Sequence, residues 1–181
     1  RLELLPVVSA IAPCVGTVML WSSYLMRVGR GDGADVAIQA FVSSAFRHGG
    51  NYIRNGSKIK VPKDLEGCLV WVPEYQMTMA LWVRGILQDE YEVDIHSIRY
   101  RTGGNNSPGR SDRLRLRLPK EMDVQPIAKD ETLNNLLLAD KLDAIIAPSP
   151  PHSFTATDHE PISQFFHEPT TVEKENYTRT D

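Results

Sequence analysis

The sequence contains little cysteine and carries almost no net charge. Its two cysteines, Cys14 and Cys68, are too few for a disulfide scaffold or a cysteine-based zinc cluster, so we expect free thiols. The 20 basic and 23 acidic side chains give a net charge of −3, which offers no bulk attraction to nucleic acid or an anionic membrane. We therefore expect neither partner. One local basic run without interleaved aromatics favours a solvated face over a nucleic-acid site: Arg110, Arg113, Arg115 and Arg117.

A clean membrane-spanning run is also missing. The apolar stretch from Leu4 to Leu20 is interrupted by two prolines and a glycine, so it predicts a buried strand with a following turn rather than a spanning helix. The sequence begins with Arg1 and shows no complete signal peptide. We therefore expect an intracellular, cytoplasmic protein.

The chain does have the composition of a globular protein, with 41% hydrophobic and 24% charged residues. Strand-like and helix-like segments alternate, which predicts an α/β fold with a doubly wound, mostly parallel sheet. The predicted strands are Val36–Phe41, Asn51–Arg54, Cys68–Val72, Ile98–Arg101, Val124–Ile127 and Asp143–Ala147. The predicted helices are Ser22 to about Val28, the segment after Pro73 to about Glu90, a helix from near Asp130 to Leu142, Val172–Tyr177, and one helical turn at Pro62–Gly67.

The junction between a strand and a helix within Val70–Gly85 is the most informative segment. An apolar strand ends at Pro73, and an amphipathic helix begins a few residues later. The free N–H groups of a first helical turn and the positive end of the helix dipole favour an anionic ligand. A small molecule with a carboxylate is therefore the expected ligand, and the polar side chains placed to contact it are Glu74, Tyr75, Gln76 and Thr78.

Several motifs, in a fixed order, resemble those of a known family. They are Ser22-Ser23-Tyr24-Leu25-Met26, Ala45-Phe46-Arg47-His48, Pro73-Glu74-Tyr75-Gln76-Met77-Thr78, Trp82-Val83-Arg84-Gly85-Ile86-Leu87, Asp89-Glu90-Tyr91, Gly103-Gly104 and the run from Asp143 to Phe154. Together they make the chain similar to the 4,5-dihydroxyphthalate decarboxylase family over roughly Trp21 to Tyr177. The resemblance implies the two-lobed fold of type 2 periplasmic binding proteins.

The resemblance also implies how the chain is divided. Residues 1–61 would form a partial first lobe, and residues 62–150 a second lobe with a polar insertion at about 105–120. Residues 151–181 would form a crossover and a polar C-terminal segment. The family's opening strand–helix unit and closing segment have no counterpart here, so we expect one lobe to be largely complete, the other partial, and the chain truncated at both ends.

The activity that the resemblance implies is decarboxylation of a hydroxylated aromatic dicarboxylate. The ring accepts a proton before it expels carbon dioxide, so the site needs a proton donor and cationic clamps for carboxylates. His48 is the candidate proton-transfer group, because imidazole titrates near working pH, and Tyr75 is the second catalytic candidate. The candidate substrate-binding residues are Arg47, Tyr75, Gln76, Thr78, Ser22 and Ser23.

These candidates also have purely structural interpretations. His48 would be a loop histidine bonded to backbone, Arg47 a partner in a surface ion pair, and Thr78 a helix-capping residue. Ser22 and Ser23 would together form a plain helix cap. These alternatives stay open at the level of the sequence.

Two further charged residues near the junction rank lower as ligand contacts. Glu74 would repel a dicarboxylate unless protonated, and Arg84 is expected in a salt bridge. No organic cofactor is expected, because the hydroxylated ring serves as its own electron sink. The histidines and carboxylates match no metal motif by spacing, and a metal requirement stays open.

The expected partner is a small aromatic acid, and homo-oligomerisation stays open. Two other functions compete with the decarboxylase. A solute-binding module could use the same fold without chemistry, because fold alone does not fix function. An inactive remnant is the other alternative.

Overall fold

The computed structural model describes residues 21–31, 47–110, 116–155 and 162–179. The chain forms two compact units, Arg1–Ala40 and Phe41–Asp181. In the first unit, helix α1 spans Trp21–Gly29, in agreement with the helix predicted from Ser22. The predicted strand Val36–Phe41 and the apolar stretch Leu4–Leu20 lie outside the described residues.

The second unit alternates short strands with helices, as the sequence predicts. Two single 3-10 turns, at His48–Gly50 and Pro62–Leu65, precede its first two main strands. The elements in chain order are β1 Asn51–Arg54, β2 Leu69–Val72, α2 Thr78–Asp89, β3 Arg99–Thr102, β4 Val124–Pro126, α3 Leu133–Leu138, β5 Ala144–Ile146, α4 His152–Thr155, β6 Ile162–Gln164 and α5 Pro169–Arg179.

The six strands form one sheet in the order β4-β3-β2-β5-β1-β6. Strand β2 pairs in parallel with β3 and β5, and β3 pairs in parallel with β4, so the predicted mostly parallel sheet is confirmed. Strand β1 runs antiparallel to both of its neighbours, so the sheet is mostly rather than entirely parallel. A 3-10 turn rather than a crossover helix joins β1 to β2, so this connection does not impose a parallel direction.

Hydrophobic side chains cover both faces of the sheet. Val70 and Val72 pack in one core cluster with Val83 and other residues of α2. Trp71 points to the opposite face, as alternation along a strand requires, and packs in a second cluster that includes Leu137 of α3. Helices therefore lie on both faces, and the doubly wound α/β class is confirmed.

Several boundaries differ from the prediction for local reasons. Helix α3 begins at Leu133 rather than near Asp130, because Thr132 is the N-cap and its side chain accepts from the backbone N–H of Asn135. Helix α5 begins earlier than predicted, at Pro169, a residue suited to the first turn. Strand β6 was not predicted, because Ile162-Ser163-Gln164 follows a proline in a polar part of the sequence and contains a single apolar residue.

The sheet contains strands from all three parts into which the resemblance divides the chain, residues 1–61, 62–150 and 151–181. The boundaries at 61/62 and 150/151 and the two-lobed arrangement stay predictions. Within the part of the chain that the structure describes, none of the helices has the length and apolar character needed to span a bilayer.

Candidate functional site

His48 lies in a buried network at the start of β1. Its side chain is only 1% exposed. Its Nδ1 lies 2.5 Å from the Glu173 carboxylate, and its Nε2 lies 3.2 Å from the Tyr91 hydroxyl. The Phe166 ring packs edge-on against the imidazole, with 4.8 Å between the ring centroids. The local environment therefore fixes the plane of the ring and engages both of its nitrogens.

Glu173 of α5 holds the turn that carries His48. One carboxylate oxygen, Oε2, accepts from the backbone N–H of Arg47 at 2.9 Å, from that of His48 at 3.0 Å, and from the imidazole. Burial opposes ionisation of this carboxyl, but these three donors together lower its pKa below the ordinary value. Glu173 is therefore an ionised acceptor at neutral pH, and it anchors α5 to the turn.

Arg47 lies beside this network rather than in a surface ion pair among the described residues. Its side chain is partly buried and lines a depression with His48, Val83, Leu87 and Phe166. The depression holds about 150 Å³ of empty space, but the gaps are too narrow for even a water molecule. A ligand that reaches the His48 ring therefore needs these side chains to move apart.

The predicted anion-binding turn before α2 contains a carboxylate of the protein itself. Glu74 is buried, and its Oε1 accepts from the Nη2 of Arg110 at 2.6 Å and from the Nε at 3.2 Å. Its Oε2 accepts from the Gln76 side chain at 2.9 Å. A ligand carboxylate entering here would have to exchange places with Glu74 and recruit Arg110.

Arg110 is exposed, yet it also makes an ion pair that the sequence did not indicate. A solvated face was expected for the basic run, and the Arg110 side chain is 41% exposed while its guanidinium pairs with the buried Glu74 carboxylate. Arg117 is exposed, as expected, whereas Arg113 and Arg115 lie outside the described residues.

The other predicted contacts at this turn have specific surroundings. Gln76 is buried, and its Oε1 has no hydrogen-bond partner among the described residues. Helix α2 begins at Thr78, which is partly exposed, with Met77 at the N-cap position and no side-chain cap. The role of Gln76 and Thr78 in binding stays a prediction.

Tyr75 packs in the core beneath Arg84. The guanidinium carbon of Arg84 lies 3.8 Å from the centroid of the Tyr75 ring, and Tyr100 packs edge-on against the same ring. Among the described residues no carboxylate pairs with Arg84, so the expected salt bridge is wrong and a cation–π contact takes its place. Burial lowers the pKa of Arg84 and raises that of Tyr75.

Tyr100 offers a stability test of this cluster. Its hydroxyl is fully buried with no hydrogen-bond partner among the described residues, and burial raises its pKa. We expect Tyr100→Phe to raise the free energy of unfolding by about 1 kcal/mol, because an unsatisfied buried hydroxyl is removed. Urea unfolding measures this. The matched control is Tyr52→Phe, which removes a hydroxyl bonded to Gln164 and should lose stability. Equal losses in both variants would contradict the expectation.

The candidate residues do not all lie together. His48 borders Val83 and Leu87 and reaches Tyr91 beyond the end of α2, whereas Gln76 precedes the start of that helix. His48 therefore lies beside the middle and the C-terminal half of α2, whereas Gln76 lies before its first residue. Ser22 and Ser23 belong to α1 in the first unit, with Ser22 buried and Ser23 partly buried.

Glu173, Tyr91 and Arg110 are the site residues that sequence reasoning missed as contacts. Tyr91 stood in one of the family-like motifs, but no role was attached to it. Glu173 lies in a polar helix where no apolar stripe marks the buried side. Across the described residues, no cluster of three or more histidine, cysteine or acidic side chains is arranged to hold a metal ion.

The fold and this buried network define the class of protein. It is an α/β protein with a doubly wound, mostly parallel sheet and a histidine locked between a carboxylate and a tyrosine. No family model matches the chain.

Comparison with curated proteins identifies two relatives of the chain. The chain is 34% identical over 158 residues to a 4,5-dihydroxyphthalate decarboxylase of Comamonas testosteroni, with 87% of this chain and 48% of that protein aligned. It is 35% identical over 148 residues to a protein of the same name from Pseudomonas putida, with 82% of this chain and 57% of that protein aligned. The resemblance is thus confirmed, and the chain is a relative of the 4,5-dihydroxyphthalate decarboxylases. It spans about half the length of the curated relatives it matches.

Proposed function

We propose that this chain provides the catalytic histidine of an aromatic decarboxylase that acts on a hydroxylated dicarboxylate such as 4,5-dihydroxyphthalate. The observation that carries the proposal is the sequence relation to two proteins of that name over more than four fifths of the chain. The buried His48 supports it, because a carboxylate stabilises the protonated imidazole that acid catalysis requires.

The proposed reaction needs only proton transfer and charge stabilisation. The ring accepts a proton at the carbon that bears the carboxylate, and the carbon–carbon bond to that carboxylate then breaks. Its electron pair restores the aromatic ring and carbon dioxide leaves. The ring hydroxyls stabilise the protonated intermediate, so the proposal includes no organic cofactor, and a metal requirement stays open.

The cationic groups available for the ligand carboxylates are Arg47 beside His48 and Arg110 at the turn before α2. Tyr75, Gln76, Thr78, Ser22 and Ser23 stay predicted contacts. The proposed partner is a small aromatic acid, with neither nucleic acid nor membrane as a partner. Homo-oligomerisation and a cytoplasmic location also stay predictions.

The test is turnover of 4,5-dihydroxyphthalate by the purified protein, followed as release of carbon dioxide or formation of protocatechuate. We expect His48→Ala to lower kcat by at least about 100-fold, the usual contribution of a positioned proton donor. Wild-type turnover no greater than that of His48→Ala would overturn the proposal. Saturable binding without product would instead favour the solute-binding alternative.

A further inference from the structure

The burial of His48 raises a specific problem for acid catalysis. The imidazole is 1% exposed, and the side chains around it leave no room for water. Both ring nitrogens lie within bonding distance of protein groups, so the ring cannot touch a ligand in this arrangement. Among the described residues, these two neighbours are therefore the groups through which a proton can leave His48.

The protonation pattern follows from the two neighbours. The ionised Glu173 carboxylate can only accept, so the hydrogen of the neutral imidazole lies on Nδ1. Nε2 is then an acceptor, and the Tyr91 hydroxyl at 3.2 Å donates to it. Glu173 is 3% exposed, whereas Tyr91 is partly exposed. Tyr91 is thus the neighbour that leads toward the surface.

We propose that Glu173, His48 and Tyr91 form a proton relay, in which the Tyr91 hydroxyl is the group that meets the ligand and Glu173 positions His48. The relay rests on the proposed decarboxylation. It assigns a catalytic role to a tyrosine that follows α2 and a positioning role to a glutamate that follows β6.

The relay moves two protons. When His48 is protonated, the imidazolium donates from Nε2 to the Tyr91 oxygen, and the Glu173 carboxylate compensates its positive charge. The Tyr91 O–H bond breaks as its proton moves to the ring carbon of the ligand. The Nε2–H bond breaks as that proton moves to the tyrosine oxygen. Tyr91 ends as a phenol, His48 ends neutral, and solvent returns one proton to the pair after carbon dioxide leaves.

The charged and titratable groups around His48 in the described structure come from three elements. Glu173 faces it from α5, Tyr91 from the segment after α2, and Arg47 from its own turn. The Phe166 ring, which does not titrate, closes a further side. Removal of the Glu173 charge therefore takes away the carboxylate that compensates the imidazolium.

The decisive variant is Tyr91→Phe, which keeps the ring and removes only the hydroxyl. We expect kcat with 4,5-dihydroxyphthalate to fall by at least about 100-fold, with KM changed by less than about threefold, because the proton transfer is lost and binding is kept. Tyr52→Phe is the matched control, since Tyr52 packs in the hydrophobic cluster that contains Trp71, and it should keep wild-type kinetics. A Tyr91→Phe kcat within about threefold of wild type would overturn the relay.

Glu173→Gln tests the positioning role. If its amide oxygen occupies the place of Oε2, all three donors keep an acceptor and only the charge is lost. We expect kcat to fall. We also expect the high-pH limb of the pH–rate profile, where the enzyme loses the proton that it donates, to move to lower pH because the compensating carboxylate is gone. A purely structural glutamate would leave the profile of the folded fraction in place, and that result would contradict the positioning role.

An NMR measurement that needs no substrate tests the relay independently of the proposed decarboxylation. Nitrogen-15 NMR of the histidine rings should show His48 with its hydrogen on Nδ1, and Tyr91→Phe should shift its Nε2 signal. If wild type shows no turnover, the proposed decarboxylation fails and NMR alone decides on the network. A hydrogen on Nε2 of the neutral ring, or an unchanged Nε2 signal in Tyr91→Phe, would overturn the relay whether or not turnover occurs.

Discussion

Glu173→Ala is expected to lower the free energy of unfolding by about 3–5 kcal/mol, because each buried donor left without its acceptor costs about 1–3 kcal/mol. Its Oε2 accepts three hydrogen bonds, and alanine would leave the backbone N–H groups of Arg47 and His48 without their acceptor. The contact between α5 and the turn before β1 would loosen. Urea unfolding at pH 7, followed by circular dichroism, measures the loss. A decrease below about 1 kcal/mol would contradict the role given to this carboxylate.

The pH dependence of the free energy of unfolding shows how much of the Glu173 contribution comes from its negative charge. The native pKa of this carboxyl lies below its ordinary value of 4.5, so its contribution is fully present above that value. The contribution is lost as the pH falls through the native pKa, where the folded state takes up a proton. We therefore expect the stability difference between wild type and Glu173→Gln to be largest at neutral pH and to shrink below pH 4.5. If the stability difference between wild type and Glu173→Gln did not change with pH, the negative charge of Glu173 would not contribute to stability.

The sheet could be predicted from the sequence because its signals are local. Val70, Trp71 and Val72 form an apolar run bounded by turn residues, and the following helical spacing shows which face of α2 is buried. Gly67 has φ of 70° at the end of the 3-10 turn, a conformation that glycine adopts without strain, as the sequence pattern indicated. Parallel pairing then follows from the alternation of strands and helices.

The network around His48 could not be predicted in this way. Glu173 lies 125 residues from His48 in the sequence, and the two meet because β6, the strand that precedes α5, pairs with β1, the strand that follows His48. The sequence near Glu173 is polar on all sides, so no pattern distinguishes the buried carboxylate from its exposed neighbours. Likewise, nothing local indicates that Arg110 is the partner of Glu74. Contacts of this kind depend on the tertiary fold.

The close approach of α2 to β1 depends on the absence of a side chain at Gly50. A Cβ atom at this position would lie 1.7 Å from Met79 Cε and 2.6 Å from the carbonyl oxygen of Ala147. The Met79 side chain could adjust, but the Ala147 carbonyl is backbone next to β5, and Gly50 itself accepts from the Ala147 N–H at 2.9 Å. Gly50→Ala therefore forces β1 and β5 apart or displaces the start of α2.

We expect Gly50→Ala to lower the free energy of unfolding by about 2–3 kcal/mol, as overpacking of a close contact does. Gly85→Ala is the matched control, because a Cβ there meets nothing within 4 Å and the position lies inside α2. The control should gain about 0.5–1 kcal/mol from the better helix propensity of alanine. Each kcal/mol corresponds to about 2–4 °C in Tm for a chain of this size, so thermal unfolding separates the two variants readily. Equal Tm values would mean that the backbone at Gly50 accommodates a methyl group, and the tight seam between β1, β5 and α2 would then be refuted.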